Sequence, residues 1–370
     1  MSTGLTREQG DLRDAVADLM AKRSPEAEVR RLMAAESGYD AGVWGELAGM
    51  GLLGLAIPEE FGGAGAGFAE LAVVSEQMGR SLLCAPYLST AVLTPYLLAA
   101  LDDTAECTEA LPRIAAGELI ATAAFAEAGS ARPPEHPDTV ATDEDGWRIF
   151  GEKTYVLDAQ AAGRFYVYAD TGSGTGIFAV DAGADGLSVS GLDTIDRTRR
   201  QGGLTLDGVP ARLIGRQATG LAAVNSALDH AAVALVAEQA GGAMHAMQMG
   251  TDYARTRFQF ARAIGSFQAV KHLCVDMLLE AQSAVSAARH IAAAFDAAAP
   301  DRLMDLALAQ SYCSDAYVSV AATNIQVHGG IGFTWEHPAH LYLRRARTDA
   351  QIFGDPVWHR ERYVQLQEAS

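Results

Sequence analysis

Leu12, Val16 and Leu19, and then Val43 and Leu47, recur at three-to-four-residue intervals between acidic and basic positions. That is the spacing of amphipathic surface helices, so residues 5–50 are expected to be helical. The run GLLGLAIPEEFGGAGAG at 51–67 breaks the period with glycines and a proline, and FAELAVVSEQMGR, CAPYLSTAVLTPYLLAAL and TAECTEALPRIAAG resume it. An N-terminal helical domain over 1–117 follows. From 118 the texture changes to short apolar runs such as ELIATAAFAE, RFYVYAD and GIFAVDAG separated by turn residues. This is strand grammar. Asp145-Gly146, the Gly/Ser/Thr stretch at 171–176 and Asp207-Gly208 lie at hairpin distances, which predicts a middle antiparallel, barrel-like β domain over 118–216. Beyond it, 218–256, 267–298 and 301–328 are Ala-rich and almost free of turn residues, too long and too periodic for strands. They predict a C-terminal four-helix-type bundle over 217–370, and the fold class is α+β, multi-domain.

Composition narrows the function. The 370 residues are 49% hydrophobic and 20% charged, enough apolar side chain for a large core. Lys and Arg number 28 against 46 Asp and Glu, so 28 − 46 gives a net charge of −18. That sign opposes binding to nucleic-acid phosphates or to a bare anionic membrane. Cys84, Cys107, Cys274 and Cys313 have no CxxC spacing and are expected to be reduced and buried. The N-terminal MSTGLTREQGDLRD lacks a basic region followed by an apolar one, and the most apolar run, near 86–101, is short and holds prolines. A cytoplasmic protein without a membrane span is expected.

Several motifs carry little. GGAGAG at 62–67 follows an Ile-Pro-Glu-Glu turn without the strand and helix of a dinucleotide fold, and is read as a loop. His337 and His340 have no second His/Cys cluster to join, so no metal site is expected. Two stretches differ. In YARTRFQFARAIGSFQAVKH (253–272), Arg255 and Arg257 precede an aromatic turn, Gly265 and a new helix bearing Gln268. In IQVHGGIGFTWEHPAHLYLRRAR (325–347), a long helix ends in Gly329-Gly330. Exposed backbone amides with a guanidinium fork suit a pyrophosphate, whereas a Gly C-cap with an Arg ion pair accounts equally for the same residues.

These two stretches resemble the acyl-CoA dehydrogenase flavoprotein family. RFQFARAIGSFQ is similar to its R-x-x-F-G-x-x-I-x-x-x-Q block and QVHGGIGF to its Q-x-x-G-G-x-G-F block, with GEKTYVLDA (151–159) and GLLGLAIPEEFGG (51–63) adding to the likeness. The resemblance covers nearly the whole chain and implies FAD as cofactor, held at a subunit interface. It places Arg257, Phe260, Gln268, Gln326, Gly329 and Gly330 on the pyrophosphate and adenosine of a FAD whose ring lies in the neighbouring subunit. Ala261 stands where the family usually has Gly.

The flavin-ring half departs further. The family's Thr of T-E-P and its Ser/Thr of W-I-T match Ala126 and Leu157 here, and Tyr155 replaces the Trp. The implied reaction removes the α-proton of an acyl-CoA thioester with a carboxylate while the β-hydrogen leaves as hydride to flavin N5. The two usual places for that Glu are occupied by Phe353, in QIFGDP, and by Ala231, in DHAAVALVAEQ. Glu238 is the nearest carboxylate, about 10 Å further along the helix at ~1.5 Å per residue. It is a candidate relocated base, against a helix-end or interface hydrogen bond. Asp355, before Pro356, is a weaker candidate and reads more naturally as a helix cap.

An intact pyrophosphate half beside a depleted flavin and base half suggests a non-catalytic subunit that completes a catalytic partner's FAD site, an arrangement known in the family for steroid side-chain breakdown. The alternatives are a self-sufficient homotetramer using Glu238, or a flavin-dependent oxidase or oxygenase on the same fold. The implied partners are an acyl-CoA substrate, an electron-transferring flavoprotein as acceptor, and a second copy or a different chain in a dimer or tetramer.

Overall fold

The computed structural model describes residues 4–369; residues 1–3, part of the stretch read for a leader, lie outside them. Six helices come first: α1 (Arg7–Arg23), α2 (Glu26–Ala34), α3 (Ala41–Gly49), α4 (Phe68–Arg80), α5 (Thr94–Leu101) and α6 (Thr104–Ala115). Eight strands follow: β1 (Ala121–Ala124), β2 (Val140–Asp143), β3 (Trp147–Leu157), β4 (Arg164–Asp170), β5 (Thr175–Asp181), β6 (Leu187–Gly191), β7 (Gln201–Pro210) and β8 (Arg212–Ile214). Then come α7 (Gly220–Thr256), a small hairpin of β9 (Phe258–Gln259) and β10 (Arg262–Ala263), α8 (Gln268–Asp296), α9 (Arg302–His328), α10 (Ala339–Asp349) and α11 (Pro356–Ala369). Element class thus changes from helix to strand and back to helix where the hydrophobic pattern changes.

Local chemistry sets the ends. Thr6 Oγ1 accepts from the Gln9 N–H at 3.2 Å while Gln9 Oε1 accepts from the Thr6 N–H at 3.0 Å, a reciprocal cap that starts α1. Asp40 Oδ1 accepts from Gly42 N and Val43 N at 2.9 and 3.0 Å and starts α3.

The chain divides into two compact units. One comprises Arg30–Gly67 and Cys84–Ala231 and contains the sheet. Its strand order is β6-β7-β3-β2-β4-β5-β8, with β1 also on β4. The Asp145-Gly146 and 171–176 turns join β2 to β3 and β4 to β5 as antiparallel hairpins. Two expectations need correction. β1 and β2 both pair with β4 in parallel, because the long 125–139 connection between them is not a hairpin and leaves both strands running in the direction of β4. Asp207-Gly208 does not end a strand: it lies within β7, where the register against β3 shifts between Ile149 and Phe150 and Gly208 takes φ +66°. It is a bulge, an extra residue accommodated by the glycine. Phe165, Tyr166, Val167 and Tyr168 are fully buried in succession, so β4 carries apolar side chains on both faces.

The other unit comprises the chain up to Val29, Phe68–Leu83 and everything from Ala232. α1 and α4 therefore belong with the long helices. Gly79 and Gly241 explain how α4 fits there: a Cβ on Gly79 would stand 2.0 Å from Glu238 O, and one on Gly241 2.0 Å from Glu76 O. The two backbones touch where side chains are missing. α7 includes an apolar window long enough to span a bilayer by length and composition, yet 72% of it is buried within the protein, as in a core helix. Cys84, Cys107 and Cys313 are buried free thiols, whereas Cys274 is only half-buried because its side of α8 also exposes Val275, Leu278 and Leu279.

Candidate functional site

The pyrophosphate candidates gather at one exposed end of the helical unit. α7 ends at Thr256 and α9 at His328, and the two ends lie side by side through the stacked rings of Tyr253 and His328, 4.2 Å apart. Burial pulls the His328 imidazole below its usual pKa, so the stack is neutral at pH 7. Arg257, Gln268 and Gln326 are exposed and, among the described residues, their side chains have no hydrogen-bond or ion-pair partner. As for the competing explanation, Arg257 has no ion pair among the described residues, while Arg255 pairs with Asp252 at 3.6 Å and Gly329 caps α9, its N–H donating to Ile325 O and Gln326 O. Gly329 takes φ +65°, and an added Cβ at Gly329 or Gly330 would meet nothing within 4 Å. Free donors around an open, side-chain-free backbone fit the phosphates of FAD. Phe260 is 87% exposed at the tip of the β9–β10 hairpin, touched at its edge by Phe267 with ring centroids 6.1 Å apart, and Phe258 at 63% and Phe333 at 82% are exposed beside it. Ala261 occupies φ +60°, the conformation for which glycine is the natural residue.

The flavin-side positions lie in the sheet unit. Ala126 and Leu157 are buried at 2% and 5%, and Tyr155 is 45% exposed at φ +52°. Thr154 N donates to Ala126 O at 3.0 Å, which ties the segment at 126 to β3. The structure thus assembles the segments that the resemblance assigns to the flavin edge, but neither Ala126 nor Leu157 has a hydroxyl to offer. These side chains do not fit the hydrogen bonds that the ring edge would take from them.

The positions that the resemblance gives to the base are apolar as well. Ala231 is fully buried on α7, and Phe353 is buried at 2% with φ +65° in the turn between α10 and α11. Asp355 Oδ1 accepts from Trp358 N at 2.7 Å and caps α11. Glu238, 8% exposed, receives Arg345 Nη1 on its Oε1, and the same guanidinium donates from Nη2 to Leu83 O at 3.2 Å. Next to it, Gln239 Nε2 donates to Ser314 Oγ at 3.0 Å and to Asp349 O at 3.1 Å. These contacts tie α7, α9 and α10 together. The Glu238 carboxylate is engaged by a buried guanidinium, a contact that accounts for it structurally without a role as base.

None of the buried ion pairs is named from the sequence, and the one deepest in the sheet joins two of its segments. Lys153 Nζ donates to Glu127 Oε1 at 2.6 Å, with the lysine side chain fully buried in the sheet unit. Glu127 also accepts from Asp138 N at 2.7 Å and Thr139 N at 3.0 Å. The available signal was strand parity, since Lys153 is four residues from fully buried Ile149 on the same face of β3.

Two domain families match the sequence: acyl-CoA dehydrogenase, N-terminal domain, over residues 6–118, and acyl-CoA dehydrogenase, C-terminal domain, over 218–362. Acyl-CoA dehydrogenase IpdE2 of Mycobacterium tuberculosis is 34% identical over 93% of this chain and 92% of its own. Among solved structures, the ChsE4-ChsE5 complex from Mycobacterium tuberculosis superposes with a TM-score of 0.90 at 28% identity, covering 100% of both chains. A variant of the Tcur3481-Tcur3483 steroid ACAD gives 0.86 at 32% identity over 98% of this chain and 99% of that one.

Proposed function

The chain belongs to the acyl-CoA dehydrogenase family of FAD-binding oxidoreductases, and from that premise we propose that it is a non-catalytic subunit that completes the FAD site of a catalytic partner. The observation that carries this is the pair of buried apolar side chains, Phe353 and Ala231, at the two places where a base would stand. Neither can take the α-proton of an acyl-CoA. FAD, when bound, supplies the hydride acceptor. This chain's part is to neutralise its pyrophosphate with Arg257, to hydrogen-bond it with Gln268 and Gln326, and to admit it against Gly329-Gly330. The acyl-CoA, the flavin-ring pocket and the base belong to the partner. Two relatives that are two-chain assemblies by name, one of them a steroid ACAD, support a steroid-derived acyl group and a heteromer. The assembly works in the cytoplasm and passes electrons to an electron-transferring flavoprotein. The domain limits 1–117, 118–216 and 217–370 stand within the same proposal.

The self-sufficient alternative assigns Glu238 the role of base; the proposal assigns it the Arg345 ion pair. In the co-assembled enzyme, Glu238→Gln is expected to lower the melting temperature and leave turnover per folded enzyme unchanged. Turnover lost with stability intact would make Glu238 the base. Arg257→Ala is expected to loosen FAD by about 1.5–3 kcal/mol, the scale of one charge-assisted contact, read as flavin lost on dialysis. Full flavin retention would remove Arg257 from the site.

A further inference from the structure

Between α1, α4, α7 and α10 the helical unit forms a cleft of about 370 Å³ that opens to solvent past Ala21, Pro25 and Glu26. Met20, Leu82, Met249 and Leu341 give it apolar walls, and Gln77, Arg80 and His245 turn polar groups toward it. Among the described residues none of these three side chains has a hydrogen-bond or ion-pair partner. Gln77 is only 6% exposed, and it meets solvent through this cleft, so its amide is free to bond a ligand that enters. Hydrogen bonds and a ring stack frame them. Tyr342 Oη donates to Arg80 O at 2.7 Å, Ser24 Oγ donates to Ser81 O at 2.9 Å, and the Tyr342 ring stacks on His245 at 5.0 Å and 16°.

Charge decides what fits. Burial, with the Arg80 charge beside it, pulls His245 down to about 4, so at pH 7 it offers one N–H and one lone pair and no charge. Among the described residues that line it, Arg80 is then the one cation and Glu26, exposed, the one carboxylate. Glu76, one turn back on α4, feels the Arg80 charge without forming an ion pair with it. A guanidinium with a neighbouring amide suits one carboxylate, and Glu26 would repel a second. At ~30 Å³ per water-sized volume the cavity holds about a dozen such volumes, matching the roughly ten heavy atoms of octanoate.

We propose that this cavity binds a medium-chain aliphatic monocarboxylate, its carboxylate on Arg80 and Gln77 and its tail along Met20, Leu82 and Met249. Titration calorimetry of the full-length protein in its assembled form, with sodium octanoate as probe, tests this. Saturable one-to-one binding with Kd below about 1 mM is expected, with octanol and acetate each weaker by about tenfold or more. Arg80→Gln removes a half-exposed side chain without a partner, so the fold should stand while octanoate affinity falls about tenfold or more. Ala17→Leu, on α1 at the cavity wall, should fill the space and abolish the effect while leaving Arg80 in place. Failure of the wild type to bind, or binding that both variants retain, would overturn the proposal; octanoate held in the acyl-CoA site of a partner would show as the second of these.

Discussion

At the scale of the residue, the sheet unit buries the Lys153–Glu127 charge pair as well as Glu106, which Arg164 and Arg212 face. Burial drives the Lys153 ammonium down to about 8 despite Glu127. Burial also pushes the Glu127 carboxyl up, but the Lys153 hydrogen bond, the Asp138 N–H and the lysine charge outweigh it and hold it below 4.5. A carboxylate with a depressed folded pKa contributes stability that is complete above its unfolded pKa, here near 4.5, and fades as pH falls through the folded value. Glu127→Gln strands Lys153 without a counter-charge and is expected to cost about 3–5 kcal/mol at pH 7, measured by urea unfolding. The gap between variant and wild type should narrow below pH 4.5. A gap that widens there would contradict the pairing. Ala261 offers the opposite case. Its φ of +60° is costly for any residue with a Cβ, and its side chain is exposed. Ala261→Gly is therefore expected to stabilise the protein by about 1 kcal/mol, visible as a higher melting temperature.

At the scale of the element, the glycines on α4 and α7 carry the helical unit. Gly79→Ala would drive a methyl group into Glu238 O, and the shift needed to relieve it should cost about 1–3 kcal/mol by denaturant unfolding. A neutral substitution would mean that the two helices do not meet there. Elements of this kind mark the border of what the sequence discloses. The long helices were legible because their period persists over many turns, and the Gly329-Gly330 stop and the Arg257 block were legible because each is a local signature. The parallel pairings of β4 were not, since a long connection such as 125–139 carries no register. Gly208 read as a turn because a bulge and a hairpin use the same residue chemistry. The grouping of α1 and α4 with the bundle rests on small residues distant in sequence. The carboxylate cavity unites Gln77, Arg80 and His245, which no motif links. At the candidate site, residue identity alone puts Phe353 and Ala231 at the positions the resemblance gives to the base, while the Arg345 partner of Glu238 appears only when α7 and α10 are folded together.

At the scale of the whole molecule, exposed donors and aromatic rings at the end of the helical unit, and apolar side chains at the positions that the family resemblance gives to the flavin edge and the base, carry the proposal. A homo-oligomer would bring together two chains with the same deficits, and a partner of different sequence removes them. The most direct test is an acyl-CoA dehydrogenation assay with an artificial electron acceptor, run on the purified chain alone and again after co-expression with a catalytic partner of the same family. A positioned base contributes about 10²- to 10⁴-fold, so its absence is easily seen. The account predicts no turnover above background for the chain alone and one flavin and one active site per heterodimer for the pair. Desaturation by the chain alone, with flavin bound in proportion to every subunit, would contradict it.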